Sequence, residues 1–398
     1  MKTSTRRIAE CFQAISAQPD LHRDTASKLK RSLRMQSTVV LAGGGTGGHV
    51  YPALAMGEAL QAAGHTLKYM GDAGRLEGRV VPQTDIEFIA IPAVQYPRGG
   101  IAGKFGFALG LFKAIMRSRG MLKAAEADFV LGVGGYISAP PILAAWTLGI
   151  PTAIHEANVT PGLANRLCAR VAKMVLLTYE ATAGRLPGNA PRVTVGCPVN
   201  PKVLEGDREA AAARYGLDAS KPTLLVVGGS LGAETINRIA MAAARVDGRT
   251  YQVLHVTGPR YHAEIEEALK PLPEGVTLVD YENRMADAYA MADLVLCRAG
   301  SSTLAELTAI GKPAVLVPSP NVTDNHQEGN ARGLEEVGAA VVMVEHGLSV
   351  DNAVAQIGSL MADADTLSRM AVSAKEQGHL DTAEQVASLL DERFLAQS

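Results

Sequence analysis

TVVLAGGGTGGHVYPALAMGEALQAAG, residues 38–64, holds the repeating unit of the fold. Its first five residues, TVVLA (38–42), are a short β-branched run with the length of a buried strand. GGGTGGHV (43–50) breaks that run. PALAMGEALQAAG (52–64) then takes up a helical pattern, with Pro52 near the first turn and Gly64 as a stop. A strand, a glycine turn and a helix in this order open a parallel α/β sheet. Glycines at such a turn let backbone approach a ligand closely, and the free N–H groups and helix dipole there favour negative charge.

Outward from this unit the pattern repeats. TLKYM (66–70), DFVLG (128–132), PTAIH (151–155) and KMVLLT (173–178) read as further buried parallel strands with helical stretches between them. It restarts with TLLVVGG (223–229), YQVLHVTG (251–258), VTLVDY (276–281), ADLVLCR (292–298) and PAVLVP (313–318). Such alternation means parallel sheets with helices on both faces. GCPVNPKVLEG (196–206), bearing Pro and Gly, suits a linker between the two series, and the pattern is helical from about residue 350. The expectation is two doubly wound, Rossmann-like domains facing a cleft. They are placed at 36–196 and 197–375, with a C-terminal helix at 376–398 that packs back on the first domain.

A second glycine loop, VVGGSLGAETIN (226–237), opens the second domain as GGGTGGHV opens the first. Equivalent loops on two domains suggest two ligands, or one long ligand across the gap. A third cluster, GVGGYISAP (132–140), follows another strand. Gly43, Gly45 and Gly48 also satisfy G-x-G-x-x-G, with Asp72 after the next strand, so a dinucleotide-dependent oxidoreductase is a rival reading.

The bulk numbers narrow the field. At 398 residues two domains are the natural prior, and 47% apolar with 20% charged residues suits sizeable cores. A net charge of −2 gives no global attraction to nucleic acid, and none is expected as a partner. Cys11, Cys168, Cys197 and Cys297 are far apart, which argues against a zinc site or disulfide framework and fits a reducing compartment. No apolar run reaches 18 residues, and the N-terminus lacks the apolar core of a secretory signal. Residues 1–35, rich in Lys and Arg, are expected to be a disordered tail or an extension from a start codon set too early.

GGGTGGHVYPALA (43–55), GGYISAP (134–140), HEAN (155–158), GGSLGA (228–233), CRAGSSTLAEL (297–307) and DNHQ (324–327) occur in that order. Over roughly residues 36–390 the chain resembles the MurG family of peptidoglycan glycosyltransferases. That resemblance implies the GT-B fold and inverting transfer of N-acetylglucosamine (GlcNAc) from UDP-GlcNAc to lipid I, giving lipid II. It also implies a peripheral position on the cytoplasmic face of the plasma membrane. By the same resemblance Ser230 and its neighbours contact the diphosphate, and the segment Ser301, Ser302, Thr303, Leu304, Ala305 and Glu306 surrounds the nucleotide. Glu306 takes the ribose hydroxyls, and Glu282 offers backbone to the uracil. Gln327 and Asn158 bind the transferred sugar, while Thr46, Gly47 and Gly48 line the donor–acceptor junction. Three positions depart from the family pattern: Ala157 and His326 each stand where Gln is usual, and the linker ends in Asn200 where the family often has Arg. Asn200 is kept as a donor contact, with one cation fewer beside the donor.

Sugar transfer needs a base for the acceptor hydroxyl and stabilisation of the departing diphosphate. His49, ending the first loop, is the leading candidate for base or acceptor contact, since imidazole titrates near neutral pH. The alternative is a histidine packed at a helix start. Glu156 is the second candidate, set against a carboxylate that merely holds a loop. Glu306 has a competing role too: Thr303 and Glu306 form the T-x-x-E of a capping box. Tyr136 and Ser138 are acceptor contacts or turn residues. Asp363 and Asp365 match a metal-binding Asp-x-Asp but sit far along the chain from every glycine loop. Helix N-termini and loop N–H groups can do the same work, so no metal and no other cofactor is expected.

No acidic residue lies between Phe88 and Ala125. Arg98, Lys104, Lys113, Arg117, Arg119 and Lys123 are interleaved there with Ile101, Phe105, Phe107, Leu109, Leu111, Phe112, Ile115 and Met116. Mixed basic and apolar stretches suit an anionic bilayer surface, and residues 96–123 are expected to meet one. The alternative is an ordinary amphipathic helix with a solvated face. Other rivals for the whole chain are a UDP-GlcNAc 2-epimerase, another GT-B lipid glycosyltransferase, and a non-enzymatic binding module.

Overall fold

The computed structural model describes residues 36–91, 101–322 and 325–395, the side chains of 101–105 excepted. The expectations for residues 1–35, for Asp324 and for the part of the basic–apolar stretch before residue 106 lie outside these bounds, the backbone of 101–105 apart.

The first half runs β1 (Thr38–Ala42), α1 (Gly47–Ala62), β2 (Thr66–Gly71), α2 (Glu77–Val80), β3 (Glu87–Ala90), α3 (Ile101–Ala124), β4 (Phe129–Gly132), α4 (Ala139–Leu148), β5 (Thr152–Glu156), α5 (Leu163–Cys168), β6 (Met174–Leu177) and β7 (Arg192–Thr194). The second half runs α6 (Arg208–Tyr215), β8 (Thr223–Val227), α7 (Glu234–Ala244), β9 (Gln252–Val256), α8 (His262–Ala268), β10 (Val276–Val279), α9 (Met285–Met291), β11 (Leu294–Cys297), α10 (Ser301–Ile310), β12 (Ala314–Leu316), α11 (His326–Glu336) and β13 (Ala340–Val342). Three α-helices follow, α12 (Val350–Met361), α13 (Ala364–Glu376) and α14 (Thr382–Leu390), and a π-helical turn at Asp391–Leu395 ends the described chain.

The strands form a seven-stranded sheet, ordered β3-β2-β1-β4-β5-β6-β7, and a six-stranded sheet, ordered β10-β9-β8-β11-β12-β13. Neighbours throughout both are parallel, as β1 with β2 and β4, and β8 with β9 and β11, illustrate. Alternate residues of each strand feed opposite cores. Val39 and Leu41 face α1, against Val50, Met56 and Leu60, while Val40 and Ala42 face Leu122 and Ile142 of α3 and α4. In the second sheet Leu225, Val295 and Cys297 pack with α10, and Leu224, Val226 and Leu296 pack with α7 and α12.

Ten strands lie where the apolar runs predict them. β3, β7 and β13 carry no such signal. They are edge strands of three or four residues whose side chains are mostly half-buried or exposed, so their patterning is weak.

α14 crosses to the first sheet. Val386, Ala387 and Leu390 join the core around α1, Phe394 meets the Phe129 ring at 5.2 Å, and Thr382 Oγ1 donates to the Val195 carbonyl at 2.8 Å. His65 Nε2 lies 2.6 Å from Asp391 Oδ1. The chain thus ties its two sheets together twice, at the linker and at its C-terminal helix.

Candidate active site

Each sheet has a switch point, where the strand order reverses and the loops leaving two adjacent strands run to opposite faces. In the first sheet it falls between β1 and β4, in the second between β8 and β11. The three glycine loops found by sequence leave these strands, 43–46 after β1, 133–138 after β4 and 228–233 after β8, and the 298–300 segment of the CRAGSSTLAEL motif leaves β11. α1 and α10 meet across the gap, where a Cβ on Gly48 would stand 3.5 Å from Ser301 Oγ.

Among the helices that start at these loops, α1 behind Thr46, α7 behind Ala233 and α10 behind Gly300 have no side-chain cap. Their first N–H groups are therefore open to an external acceptor, with the positive end of the helix dipole behind them.

The loop after β1 is held from beneath by Glu77, which is fully buried. Gly45 N–H donates to its Oε2 at 2.9 Å and Asp72 N–H to its Oε1 at 3.2 Å. Gly44, at φ +144°, passes so close that a Cβ would lie 2.3 Å from this carboxyl. His49 follows in the first turn of α1, its Nδ1 3.1 Å from Thr46 Oγ1. Gly134, at φ +94°, leaves room for its ring, since a Cβ there would come within 2.7 Å of His49 Cδ2. Burial among the loops, then the neighbouring His326 and His155, push the His49 pKa down to about 4, against a hydrogen bond with Gly44 backbone. The imidazole is thus neutral at physiological pH. Thr46 is exposed, and Gly47 and Gly48 are half-buried beside it.

Glu156 ends β5, and its carboxylate is saturated. Oε1 accepts from the backbone N–H of Asn158 at 3.0 Å and its Nδ2 at 3.3 Å; Oε2 accepts from Gly162 N–H at 3.1 Å and Asn165 Nδ2 at 2.9 Å. Burial raises its pKa, and those donors oppose the rise. This geometry is that of a carboxylate holding the 158–162 loop. Ser138 Oγ likewise donates to Gly135 O at 2.8 Å, which closes its turn, while the buried Tyr136 hydroxyl has no hydrogen-bond partner among the described residues.

On the second sheet, α10 starts at Ser301 with Gly300 as N-cap, so Thr303 is already its third residue. The capping-box reading of Thr303 and Glu306 does not fit this start. Glu306 instead accepts the Tyr289 hydroxyl on Oε2 at 2.7 Å, and burial raises its pKa against that bond. Ser302, Thr303 and Ala305 are half-buried, whereas Ser301 and Leu304 are buried, Leu304 within the core. Ser230 is exposed at the tip of the loop after β8.

Glu282 is occupied by structure: its carboxylate accepts from Tyr215 Oη at 2.7 Å, Arg214 Nη2 at 2.9 Å and Arg284 N–H at 2.6 Å. Only its backbone is left for a base. Gln327 accepts Ser319 N–H on Oε1 at 2.9 Å. Asn200 caps its own turn, accepting Lys202 N–H at 3.0 Å.

Both rival motifs have local explanations. Asp72 accepts Gly74 N–H at 2.9 Å, closing the turn after β2. Asp363 is the N-cap of α13, accepting Thr366 N–H at 3.0 Å and Thr366 Oγ1 at 2.6 Å. Sequence reasoning missed Glu77, Tyr289 and Asn330, because each acts through a partner distant in the chain, and no local pattern marks them.

α3 buries Ala114, Ser118 and Leu122 and half-buries Ile115, leaving Leu109, Phe112 and Met116 exposed beside Lys113, Arg117 and Lys123. Trp146, on the adjoining α4, is 56% exposed and Phe112 59%, large values for aromatic side chains. No described helix is long and apolar enough to cross a membrane.

Residues 39–177 match the glycosyltransferase family 28 N-terminal domain, and residues 223–386 its C-terminal domain. The chain is 38% identical over 350 residues to a protein of Halothermothrix orenii, covering 85% of this chain and 94% of that one. A Clavibacter sepedonicus protein is 40% identical over 359 residues, covering 88% and 95%. Both are named UDP-N-acetylglucosamine–N-acetylmuramyl-(pentapeptide) pyrophosphoryl-undecaprenol N-acetylglucosamine transferase. The crystal structure of Acinetobacter baumannii MurG superposes with a TM-score of 0.72 at 28% identity, covering 89% of this chain and 99% of that one. With two switch points facing one cleft and both halves matched, the chain belongs to glycosyltransferase family 28, within its MurG group.

Proposed function

We propose that this protein transfers N-acetylglucosamine from UDP-GlcNAc to lipid I, N-acetylmuramyl-(pentapeptide) pyrophosphoryl-undecaprenol, with inversion, to give lipid II. The observation that carries the reading is the pair of uncapped helix starts, α7 and α10, at the β8/β11 switch point, with Glu306 beside them and α1 opposite. A nucleoside diphosphate fits this arrangement: the diphosphate on the loop and helix N–H groups, the ribose hydroxyls on Glu306, the base against the backbone at Glu282. Ser230, Ser301, Ser302 and Thr303 line the donor, and Gln327 and Asn158 take the sugar.

In the reaction the acceptor hydroxyl attacks the sugar's anomeric carbon from the face opposite UDP. The new C–O bond forms as the bond to the phosphate oxygen breaks, and UDP leaves with the electron pair. His49, neutral at working pH, accepts the hydroxyl proton. Charge that develops on the diphosphate is met by the fixed N–H groups and dipoles, which need no reorganisation. The exposed face of Leu109, Phe112, Met116 and Trp146, with Lys113, Arg117 and Lys123, supports a peripheral position on an anionic bilayer, where a lipid-linked acceptor resides.

UDP release from UDP-GlcNAc with and without a short-chain lipid I analogue, in EDTA, tests the reading. Acceptor-dependent release is expected. Release without acceptor, with free sugar accumulating, would favour epimerase or hydrolase chemistry instead.

A further inference from the structure

The glycine loops after β1 and β8 differ in the carboxylate that stands beside each. Glu77, fully buried, is wedged between the first loop and the end of β2: a Cβ on Gly44 would lie 2.3 Å from its carboxyl carbon, and one on Gly71 2.6 Å from its Cγ. Its oxygens accept Gly45 N–H at 2.9 Å and Asp72 N–H at 3.2 Å. Among the described residues no lysine or arginine pairs with it; Arg75, two residues earlier, pairs with Asp72 at 3.9 Å instead. Burial and then the Glu77 charge push up the pKa of the nearby Tyr69 hydroxyl. A carboxylate with backbone donors and no cation leaves a negative charge under the loop, where little water screens it.

The second loop is balanced. Glu345, which follows β13, accepts Thr235 Oγ1 of α7 on Oε1 at 2.7 Å. Its Oε2 takes the guanidinium of Arg298, which follows β11 and also donates to the Val317 carbonyl at 3.0 Å. Both side chains are mostly buried, so the start of α7 has a neutral pair beside it. Glu234, the first residue of α7, is exposed, where water and salt screen it.

We infer that Glu77 is a specificity-determining residue that bars a diphosphate from the first glycine loop and so confines UDP to the second domain. The inference rests on the transferase reading above, in which both substrates carry a diphosphate and each domain offers a loop of the kind that binds one. An unpaired charge set against the wrong ligand gives specificity even where the backbone would fit it. Gly45 N–H is already taken by Glu77. Thr46 and the neutral His49, which remain, suit a hydroxyl. The acceptor therefore meets residues 43–49 through its sugar, with its own pyrophosphate held away from them.

Calorimetric titration of UDP into the full chain, wild type and Glu77→Gln, tests it. Glu77→Gln removes the charge and keeps the shape. Wild type is expected to bind a single UDP. Glu77→Gln should bind that UDP within about twofold of wild type and take up a second, weaker one that competes with a short-chain lipid I analogue. A single UDP per chain in Glu77→Gln, or two in wild type, would overturn the inference. Arg298→Gln strips Glu345 of its cation and reproduces in the second loop what Glu77 does in the first; it is the further variant should Glu77→Gln impair folding. It is expected to weaken UDP about tenfold or more, the scale of one poorly screened unit charge, and adding Glu345→Gln to restore affinity to within about threefold of wild type. No weakening in Arg298→Gln, or a loss that Glu345→Gln does not restore, would equally overturn it. A wild-type chain that binds no UDP would remove the transferase reading, and the inference with it.

Discussion

The hydroxyl of Tyr289, on α9, donates to Oε2 of Glu306, on α10, at 2.7 Å. This bond occupies one carboxylate oxygen with a partner inside the domain and leaves Oε1 for a ligand. Glu306 is thus aimed by its neighbour, and a bidentate grip on both ribose hydroxyls would have to share Oε2 with the phenol.

Glu306→Ala should weaken UDP about 10- to 100-fold, the scale of a hydrogen bond to a charged group. Tyr289→Phe should cost only a few-fold, because it releases an oxygen while losing the orientation. Titration of UDP into both variants measures this. UDP affinity unchanged in Glu306→Ala would reduce the carboxylate to a structural partner of Tyr289.

A neutral His49 sets the pH profile. As a base it works unprotonated, and its pKa is held near 4 by burial and by the neighbouring His326 and His155. kcat/KM should therefore stay level as pH falls through about 6.5, the ordinary imidazole value, and drop only on approach to 4. His49→Ala should lower kcat by roughly 10²- to 10⁴-fold with the donor KM little changed. An inflection at ordinary imidazole pH that vanishes in His49→Ala would mean the histidine is solvated during turnover.

How much of this was legible in the sequence depended on the range over which each signal acts. Strand β1 and its glycine loop announce themselves within a dozen residues, because apolar periodicity and chain breaking are local properties. The central strands were therefore visible and the edge strands β3, β7 and β13 were not. His49 and Glu306 were found through loops and motifs. What each does with its lone pairs was hidden, since Thr303 and Glu306 read as a cap until the helix start at Ser301 is known. Glu77 under Gly45, and Asn330 against Asn158, join segments 32 and 172 residues apart, and nothing in a single sequence marks such pairings.

Glu156 separates a base from a brace. Its two oxygens accept four N–H donors in the 158–165 segment, so an amide in its place turns an NH₂ group toward donors. Glu156→Gln should destabilise the fold by about 1–3 kcal/mol, the cost of leaving buried donors unsatisfied. Thermal unfolding would report that loss. A catalytic base would behave differently: the stability of Glu156→Gln would match wild type while kcat fell by orders of magnitude.

The exposed face of α3 and α4 makes the last separation, between charge and apolar contact. Lys113→Ala with Arg117→Ala should weaken binding to anionic vesicles about 30-fold at low salt, at on the order of 1 kcal/mol per basic residue. The difference should fade as salt rises, because these side chains are solvent-exposed and screened. Phe112→Ser with Met116→Ser should weaken binding at every salt concentration, since apolar burial is not screened. Turnover of a water-soluble acceptor analogue should be unchanged in both pairs, because neither touches the cleft loops. If wild type itself ignores anionic vesicles at low salt, the face belongs to some other contact and the peripheral-membrane reading falls, while the transferase site is left standing.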